Sequence, residues 1–312
     1  MGFFWRTAAS IVGTAALLGA LLALALHFWP GTDRVTVAAA AVSPVLWAAC
    51  AALALVCLLY VRALLRLVLV AAVIAAGVWV QAPLWRGEPA PSGTALTVLT
   101  ANIQVGAGDA DALAKLVRED RVDVLAVLEL TEDAAQRIAA STIATDLPYS
   151  LVRPAGLANG TALYSRYPLT STGTVPGFVM TALTAVAAVP GRGDVQLFAL
   201  HPMPPLDPGT WDSELRRIGT LLQGVPEGRP VVALGDYNAT YDHVRFRSLL
   251  TGGYRDAGQL AGAGWLPTYP TDKTYPPVVG IDHVLLRGLG AAEVSRHEVP
   301  GADHRALLAR VG

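Results

Sequence analysis

The sequence predicts an N-terminal anchor of three membrane-spanning helices followed by an α/β sandwich, two packed sheets with helices outside them. The first reason is the distribution of apolar residues. The chain is 53% hydrophobic with a mean hydropathy of +0.46, too apolar for an ordinary soluble protein. The excess sits in the first 85 residues, in three runs without charge. The second reason is that, from Thr94 onward, short apolar runs rich in β-branched residues outnumber helical stretches. They are joined by both helices and hairpins, which suits packed sheets better than one doubly wound sheet. The third is that polar residues capable of chemistry recur at the ends of those runs.

The spans come first in the chain. Ala8–Trp29 is 22 uncharged residues, roughly 33 Å as a helix and enough to cross the hydrocarbon core. Val35–Tyr60 is the second. Leu64–Trp85 is the third, uncharged from Leu67, with Arg66 placed to snorkel at its edge. Trp29, Tyr60, Trp79 and Trp85 stand at or near span ends, where interfacial aromatics gather. The first run is too long for a cleaved signal peptide, and two more follow. No span carries Asp or Glu, so an anchor is expected rather than an ion pathway. Arg6, Arg62 and Arg66 fall on one side, Arg34 and Arg86 on the other. That bias puts the N-terminus inside and the C-terminal domain outside the cytoplasm. Residues 1–86 thus form the anchor, 87–94 (GEPAPSGT) a Pro/Gly/Ser linker and 95–312 the second domain.

Charge and cysteine bound what that domain does. Five of the 23 basic and two of the 24 acidic groups precede Ala95, leaving 18 basic and 22 acidic beyond it, a net of −4. A domain gripping a nucleic-acid backbone ordinarily has a basic excess. The only cysteines, Cys50 and Cys57, lie in the second span, which excludes a disulfide framework or a cysteine zinc site in the domain.

The elements follow in order. Ala95–Thr100 reads as a strand ending at Asn102. Asp109–Arg118 has helical spacing, and Val122–Leu128 is a strand ending at Glu129. Thr131 is placed to cap the next helix, with Glu132 and Asp133 in its first turn. Thr161–Ser165 is a strand closed by Arg166-Tyr167-Pro168. Thr181–Val189 and Val195–Leu200 form a hairpin that delivers His201. Thr210–Leu222 is a helix. Val231–Leu234 is a buried strand, after which Gly235 is expected to turn the chain. Asp236 and Asn238, two apart, would share one side in extended geometry. A helix is expected over Asp242–Leu250 and an irregular loop over Gly264–Pro277. Strands follow at Ile281–Leu286, which holds Asp282, at Glu293–Val299, before Asp303 and His304, and at Ala306–Val311.

Each polar group alone has an ordinary explanation. Glu after a strand is commonly a solvated end, and a strand-terminal Asp commonly starts a turn. Eight groups at one class of position point instead to a shared site. Oxygen donors without cysteine suit a hard divalent cation, and histidines beside carboxylates suit acid–base work. A nucleophile-elbow serine, a Walker loop and GxGxxG are all absent. Metal-assisted attack of water on a phosphoester is the reaction class that fits.

The motifs TANI (Asn102), LEL (Glu129), NGTALYSRYPL (159–169), LHP (His201), GDYNAT (Asp236, Asn238), GIDHVLL (Asp282) and ADHRAL (Asp303, His304) together resemble the endonuclease/exonuclease/phosphatase superfamily, from about Leu96 to Val311. The resemblance implies a DNase I-like four-layer α-β-β-α sandwich. It implies Mg²⁺ as cofactor, with Mn²⁺ or Ca²⁺ as alternatives, held by Asn102, Glu129 and Asp303. Asp236 would orient or deprotonate water. Asn238 and His201 would bind phosphate, and Asp282 would fix and charge His304. Tyr164 and Arg166 would line the substrate site. Leu128 departs from the Gln that many relatives carry before the metal-binding Glu. His283 should face away from Asp282 and is read as structural.

The chain is also similar to small membrane-anchored bacterial proteins associated with teicoplanin resistance. That implies a membrane-tethered phosphoesterase acting on a phosphorylated lipid or other envelope phosphoester, with the bilayer as partner. An extracellular nuclease is the alternative, against which the net charge argues. A non-catalytic ligand-binding resistance protein is the third reading, against which the intact polar set argues. No protein partner is inferable.

Overall fold

The structure is a computed structural model that describes residues 2–89 and 95–312. Most of the expected linker, 90–94, lies outside the described residues. The chain divides into two compact units: Met1–Pro83 with Tyr241–Val244, and Leu84–Thr240 with Arg245–Gly312.

The first unit is helical: α1 (Gly2–Phe28), α2 (Arg34–Ala41), α3 (Ser43–Val61) and α4 (Leu64–Gln81). Three stretches, Phe3–Phe28, Ser43–Val61 and Leu64–Leu84, are long and apolar enough to cross a membrane. The second expected span is broken. Pro44, in the first turn of α3, has no N–H to continue the ladder from α2, so the chain stops at Val42 and restarts. Ala16, Ala20, Ala51 and Ala54 pack α1 closely against α3, while many larger side chains face outward. Among apolar lipid, such small residues permit close helix approach.

The second unit is a sandwich of two six-stranded sheets. One has the order β11-β12-β1-β2-β4-β3 and the other β5-β6-β7-β8-β10-β9. In the first, β1 (Leu96–Asn102) pairs in parallel with β2 (Val124–Leu128). It pairs antiparallel with β12 (Arg305–Val311), which pairs with β11 (Ala291–Glu298). β4 (Thr161–Ser165) runs antiparallel to β2 and to β3 (Tyr149–Arg153). In the second, β5 (Leu169–Val175), β6 (Ala182–Val189) and β7 (Gly193–Leu200) form a meander. β8 (Val231–Asp236) lies parallel to β7 and antiparallel to β10 (Asp282–Arg287), and the short β9 (Arg255–Asp256) closes the edge.

Alternation along the strands builds the layers. Leu96, Val98, Val124 and Ala126 meet Leu197, Val232, Leu234 and Val284 between the sheets. Leu99, Leu125 and Val127 face outward, onto Leu113 and Val117 of α5 (Ala110–Glu119) and Ile138 of α6 (Glu132–Ala140). Thr131 caps α6, its Oγ1 accepting from Ala134 N, and Asp109 caps α5. The short helix α7 (Ile143–Asp146) follows. α8 (Pro208–Gln223) buries Trp211, Leu215, Ile218 and Leu222. The helix expected over Asp242–Leu250 is only α9 (Val244–Arg247), and α10 is Ala257–Ala261. This is the expected α/β sandwich.

Candidate active site

The same alternation aims the polar groups. Leu96 and Val98 face the inter-sheet core, so Asn102, further along β1 at the same parity, does too. Val232 and Leu234 do this for Asp236, Leu197 and Ala199 for His201, and Val284 and Leu286 for Asp282. β1, β2, β7 and β8 deliver these residues at their C-terminal ends, and β10 and β12 start from the same end. Asn102, His201, Asp236, Asp282 and His304 are all buried there.

Glu129 breaks the parity. Leu128 continues the inward series of Val124 and Ala126, so Glu129 would face the helices. A left-handed backbone (φ 59) turns it back instead. Its Oε1 then accepts from Asn102 Nδ2 at 2.9 Å, and its Oε2 accepts from Val105 N at 2.8 Å. Asn102 Nδ2 also donates to Asp236 Oδ2 at 3.2 Å, linking the two sheets.

Asp236 and Asn238 converge by a different route from the extended one expected. Asn238 has φ 49, and its N–H donates to Asp236 Oδ1 at 2.8 Å, an Asx turn. The Asn238 Nδ2 donates to Pro202 O at 3.0 Å. Gly235 does not turn the chain, because it lies inside β8. Its φ of 155 and a backbone so close that a Cβ would overlap the Leu200 carbonyl explain the glycine.

His304 Nδ1 lies 2.8 Å from Asp282 Oδ2, and its Nε2 lies 3.7 Å from Asp236 Oδ2. His201 Nε2 is 3.6 Å from that same oxygen, so two imidazoles flank one carboxylate. Their environments split them. Burial drives His201 towards the neutral form, more than Glu129 and Asp282 resist it. For His304 burial is outweighed by Asp282 and Asp236, which push it up to about 10 and keep it cationic. Burial also raises Asp236, against the pull of His304 and with the push of Asp282. The site thus pairs a standing cation with a carboxyl group held near neutrality.

Two other placements complete the picture. Asp303 is half-buried just before β12, and burial and the Glu129 charge raise its carboxyl despite His304. Tyr164 and Arg166 are not brought to the site. Because β4 runs antiparallel to β2, Thr161 sits opposite Leu128 at the site end, and Ser165 opposite Val124 at the other. Tyr164 is buried in the cluster under α5 and α6, and Arg166 Nε donates to Asp123 Oδ1 at 2.9 Å. His283 faces away from the site, with Nδ1 2.9 Å from Asp256 Oδ2 and Nε2 2.9 Å from Ala239 O.

Residue reading missed Tyr269, whose ring lies over His304 with centroids 4.8 Å apart. An aromatic in the Pro-rich loop Gly264–Pro277 was the available signal. It also missed Glu214 on α8. That buried carboxylate accepts from Val179 N and Met203 N, both at 2.6 Å.

The donor set fits a divalent cation. Asp236, Asp282 and Asp303 gather around the cationic His304, and the Glu129 charge raises the Asp303 carboxyl. Asp236, Asp282 and His304 also offer atoms within 4.8 Å of one another. That trio is less suited to a hard ion, because the His304–Asp282 hydrogen bond already occupies a nitrogen and a carboxylate oxygen. Asn102, Glu129 and Asp303 supply oxygen alone.

The family model described as Endonuclease/Exonuclease/phosphatase family matches residues 99–304. No curated protein matches the chain. Among solved structures, D. rerio TDP2 humanized by 14 mutations is similar at 16% identity and a TM-score of 0.61, covering 70% of this chain and 100% of that one. An endonuclease/exonuclease/phosphatase from Beutenbergia cavernae is similar at 20% identity and 0.57, covering 70% and 72%. One from Bacteroides vulgatus is similar at 18% and 0.56, covering 70% and 99%. At these identities the likeness is one of fold.

Proposed function

Because the chain belongs to the endonuclease/exonuclease/phosphatase family, we propose that it is a membrane-tethered, divalent-metal-dependent phosphoesterase acting on a phosphorylated or pyrophosphorylated lipid of the cell envelope. The observation that carries this is the convergence from two sheets of two hydrogen-bonded groups, Asn102–Glu129–Asp236 and Asp282–His304, which meet where His304 Nε2 lies 3.7 Å from Asp236 Oδ2. The lipid part rests on the three apolar helices in the same chain and on the domain's net charge of −4.

Asn102, Glu129 and Asp303 would hold Mg²⁺, or Mn²⁺ or Ca²⁺ in its place. When bound, the ion supplies Lewis acidity towards a phosphoryl oxygen. The protein's own groups do the rest. His304, cationic and fixed by Asp282, donates to phosphoryl oxygen or to the leaving group. Asp236, raised by burial, sits where a carboxylate can accept a proton from water at neutral pH. His201, neutral, and Asn238 bind the phosphate. The domain lies outside the cytoplasm, so a reporter fused after Gly312 should be active there and not inside.

The test is a substrate panel with the full chain in detergent or nanodiscs. Lipid phosphates, lipid pyrophosphates and oligonucleotides are offered with Mg²⁺ and with EDTA. Phosphate or phosphorylated head group should be released with Mg²⁺ only, and Asp236→Ala should abolish release. Full turnover by Asp236→Ala removes the mechanism. Cleavage of oligonucleotides, but not of lipids, would establish the nuclease reading. A solved structure of D. rerio TDP2 complexed with single-strand DNA product motivates that arm. Activity in cells surviving loss of Glu129 would favour a ligand-binding role.

A further inference from the structure

The backbone around the site closes into a ring of loops. Leu130, after Glu129, bonds to Gly160 O and, through its own carbonyl, to Ala155 N. Asn159 O accepts from Thr181 N at 2.9 Å. Val179 N and Met203 N share the buried Glu214 carboxylate, and Pro202 O receives Asn238 Nδ2. Asn238 N donates to Asp236 Oδ1, Asn102 Nδ2 bridges Asp236 and Glu129, and Glu129 Oε2 holds Val105 N. The series of bonds starts beside Glu129 and returns to the candidate active site at Asn238.

Four segments of this ring, 104–108 (QVGAG), 154–160 (PAGLANG), 176–181 (PGFVMT) and 202–206 (PMPPL), carry no charged side chain at all. The domain around them holds 18 basic and 22 acidic groups. Each segment instead presents one large apolar residue to solvent: Val105, Leu157, Val179 and Leu206, the last three 76%, 58% and 68% exposed in that order. From Leu96 onward only seven large apolar side chains are so exposed among the described residues, and four stand on this ring. Val105 and Leu157 also have left-handed backbones, at φ 51 and 57. Exposed apolar surface and a strained β-branched or bulky residue are both unfavourable for a monomer in water. Strain of this kind collects at binding and catalytic sites.

We propose that these four loops form a lipid-docking collar, whose apolar tips enter the hydrocarbon edge of a bilayer while a lipid phosphoester occupies the site they surround. The occupant follows from three observations. The four segments themselves hold no Lys or Arg, and the cations that reach the mouth, Arg137 donating to Gly106 O, Arg217 beside Gly177 and Lys273 in the loop that carries Tyr269, are few for gripping a polyanionic backbone. Exposed apolar tips with a few arginines beside them (Arg137, Arg153 and Arg217) suit the bilayer interface, where buried apolar area and attraction to head groups add. The chain's own apolar helices keep bilayer lipid at high effective concentration. The assignment rests on the phosphoesterase reading above, and its test separates the two.

The full chain, with Cys50→Ser and Cys57→Ser, receives a single cysteine at Leu157, Val179 or Leu206, labelled with an environment-sensitive fluorophore. Glu227 is the control position; it is exposed and precedes the start of β8, at the opposite end of that strand from Asp236. The protein is placed in nanodiscs of phosphatidylcholine and phosphatidylglycerol with brominated acyl chains. Collar probes should be blue-shifted and quenched at least twofold more than the Glu227 probe. In parallel, Leu157→Ser with Val179→Ser and Leu206→Ser should lower the ratio of bilayer-lipid to soluble-ester turnover about tenfold. Collar probes that behave like the Glu227 probe overturn the proposal, even if lipid is hydrolysed. Collar probes shielded only as protein concentration rises, without bromine quenching, overturn it in favour of a contact between copies. Quenched probes with no lipid turnover uphold the collar and remove the substrate reading.

Discussion

At the scale of single residues, the site depends on charges that neighbours hold in place. Asp282 fixes the orientation of His304 and stabilises its positive charge. Asp282→Asn keeps the shape and loses the charge. It should lower kcat by about 10²- to 10⁴-fold, the range of acid–base contributions, with little change in KM for a soluble phosphoester. Steady-state kinetics checks this, and an unchanged kcat would strip Asp282 of its positioning role. His283 is a different case, structural and on the opposite side of β10. Both its ring nitrogens face acceptors, Asp256 Oδ2 and Ala239 O. Burial disfavours the imidazolium, yet these partners raise His283 above its ordinary value. Because the folded value lies above the unfolded one of about 6.5, the stabilisation is complete below that pH. It is lost as pH rises through the folded value. His283→Gln should cost about 3–5 kcal/mol at pH 6, the typical penalty for stripping one partner from a buried pair. The gap from wild type should narrow towards pH 9. Denaturant titrations at several pH values measure it, and a gap independent of pH would mean the ring is neutral when folded.

At the scale of elements, Gly235 governs how closely β7 and β8 approach. A Cβ there would overlap the Leu200 carbonyl, and the backbone conformation disfavours any side chain. Gly235→Ala should therefore destabilise the sandwich by roughly 1–3 kcal/mol, the range for forced packing strain. It should also weaken catalysis, since Asp236 follows directly. A stable Gly235→Ala with full activity would show that the strand gap is softer than its geometry implies. The same elements show what was readable beforehand. Strands β1, β2, β4, β8 and β12 announce themselves by apolar runs, and alternation carries Asn102, Asp236 and Asp282 to one face. Strands β3 and β5 were missed, since as edge strands they are largely exposed and lack an apolar face. Tyr164 and Arg166 were misplaced because the direction of β4 follows from its pairing, which one sequence does not display. Glu129 and Asn238 reach the site through left-handed backbones, where alternation fails. The collar loops carried no readable code because their signal is an absence of charge, visible only once the loops are known to share one ring.

At the scale of the whole molecule, two units with separate cores should melt separately. Only one of them holds the cluster of Glu129, Asp236, Asp282 and Asp303. Those groups repel one another and are only partly balanced by His304, so a divalent cation is expected to bind the folded sandwich far better than the unfolded chain. Linkage then sets the magnitude. At a Mg²⁺ concentration about 100 times Kd, the gain is about 2.7 kcal/mol. For a unit of this size that corresponds to roughly 5–11 °C in Tm. The full chain in detergent should show one transition that moves with Mg²⁺ and falls back with EDTA, and a helical transition that does not move. Glu129→Gln should lose most of the Mg²⁺ shift while keeping the fold, because it removes a carboxylate but retains an acceptor for Val105 N. Calorimetry with and without the ion makes the comparison, and substrate is not needed. A sandwich transition indifferent to Mg²⁺, Mn²⁺ and Ca²⁺ would leave the carboxylates without their counter-charge and would end the metal-dependent reading of the site.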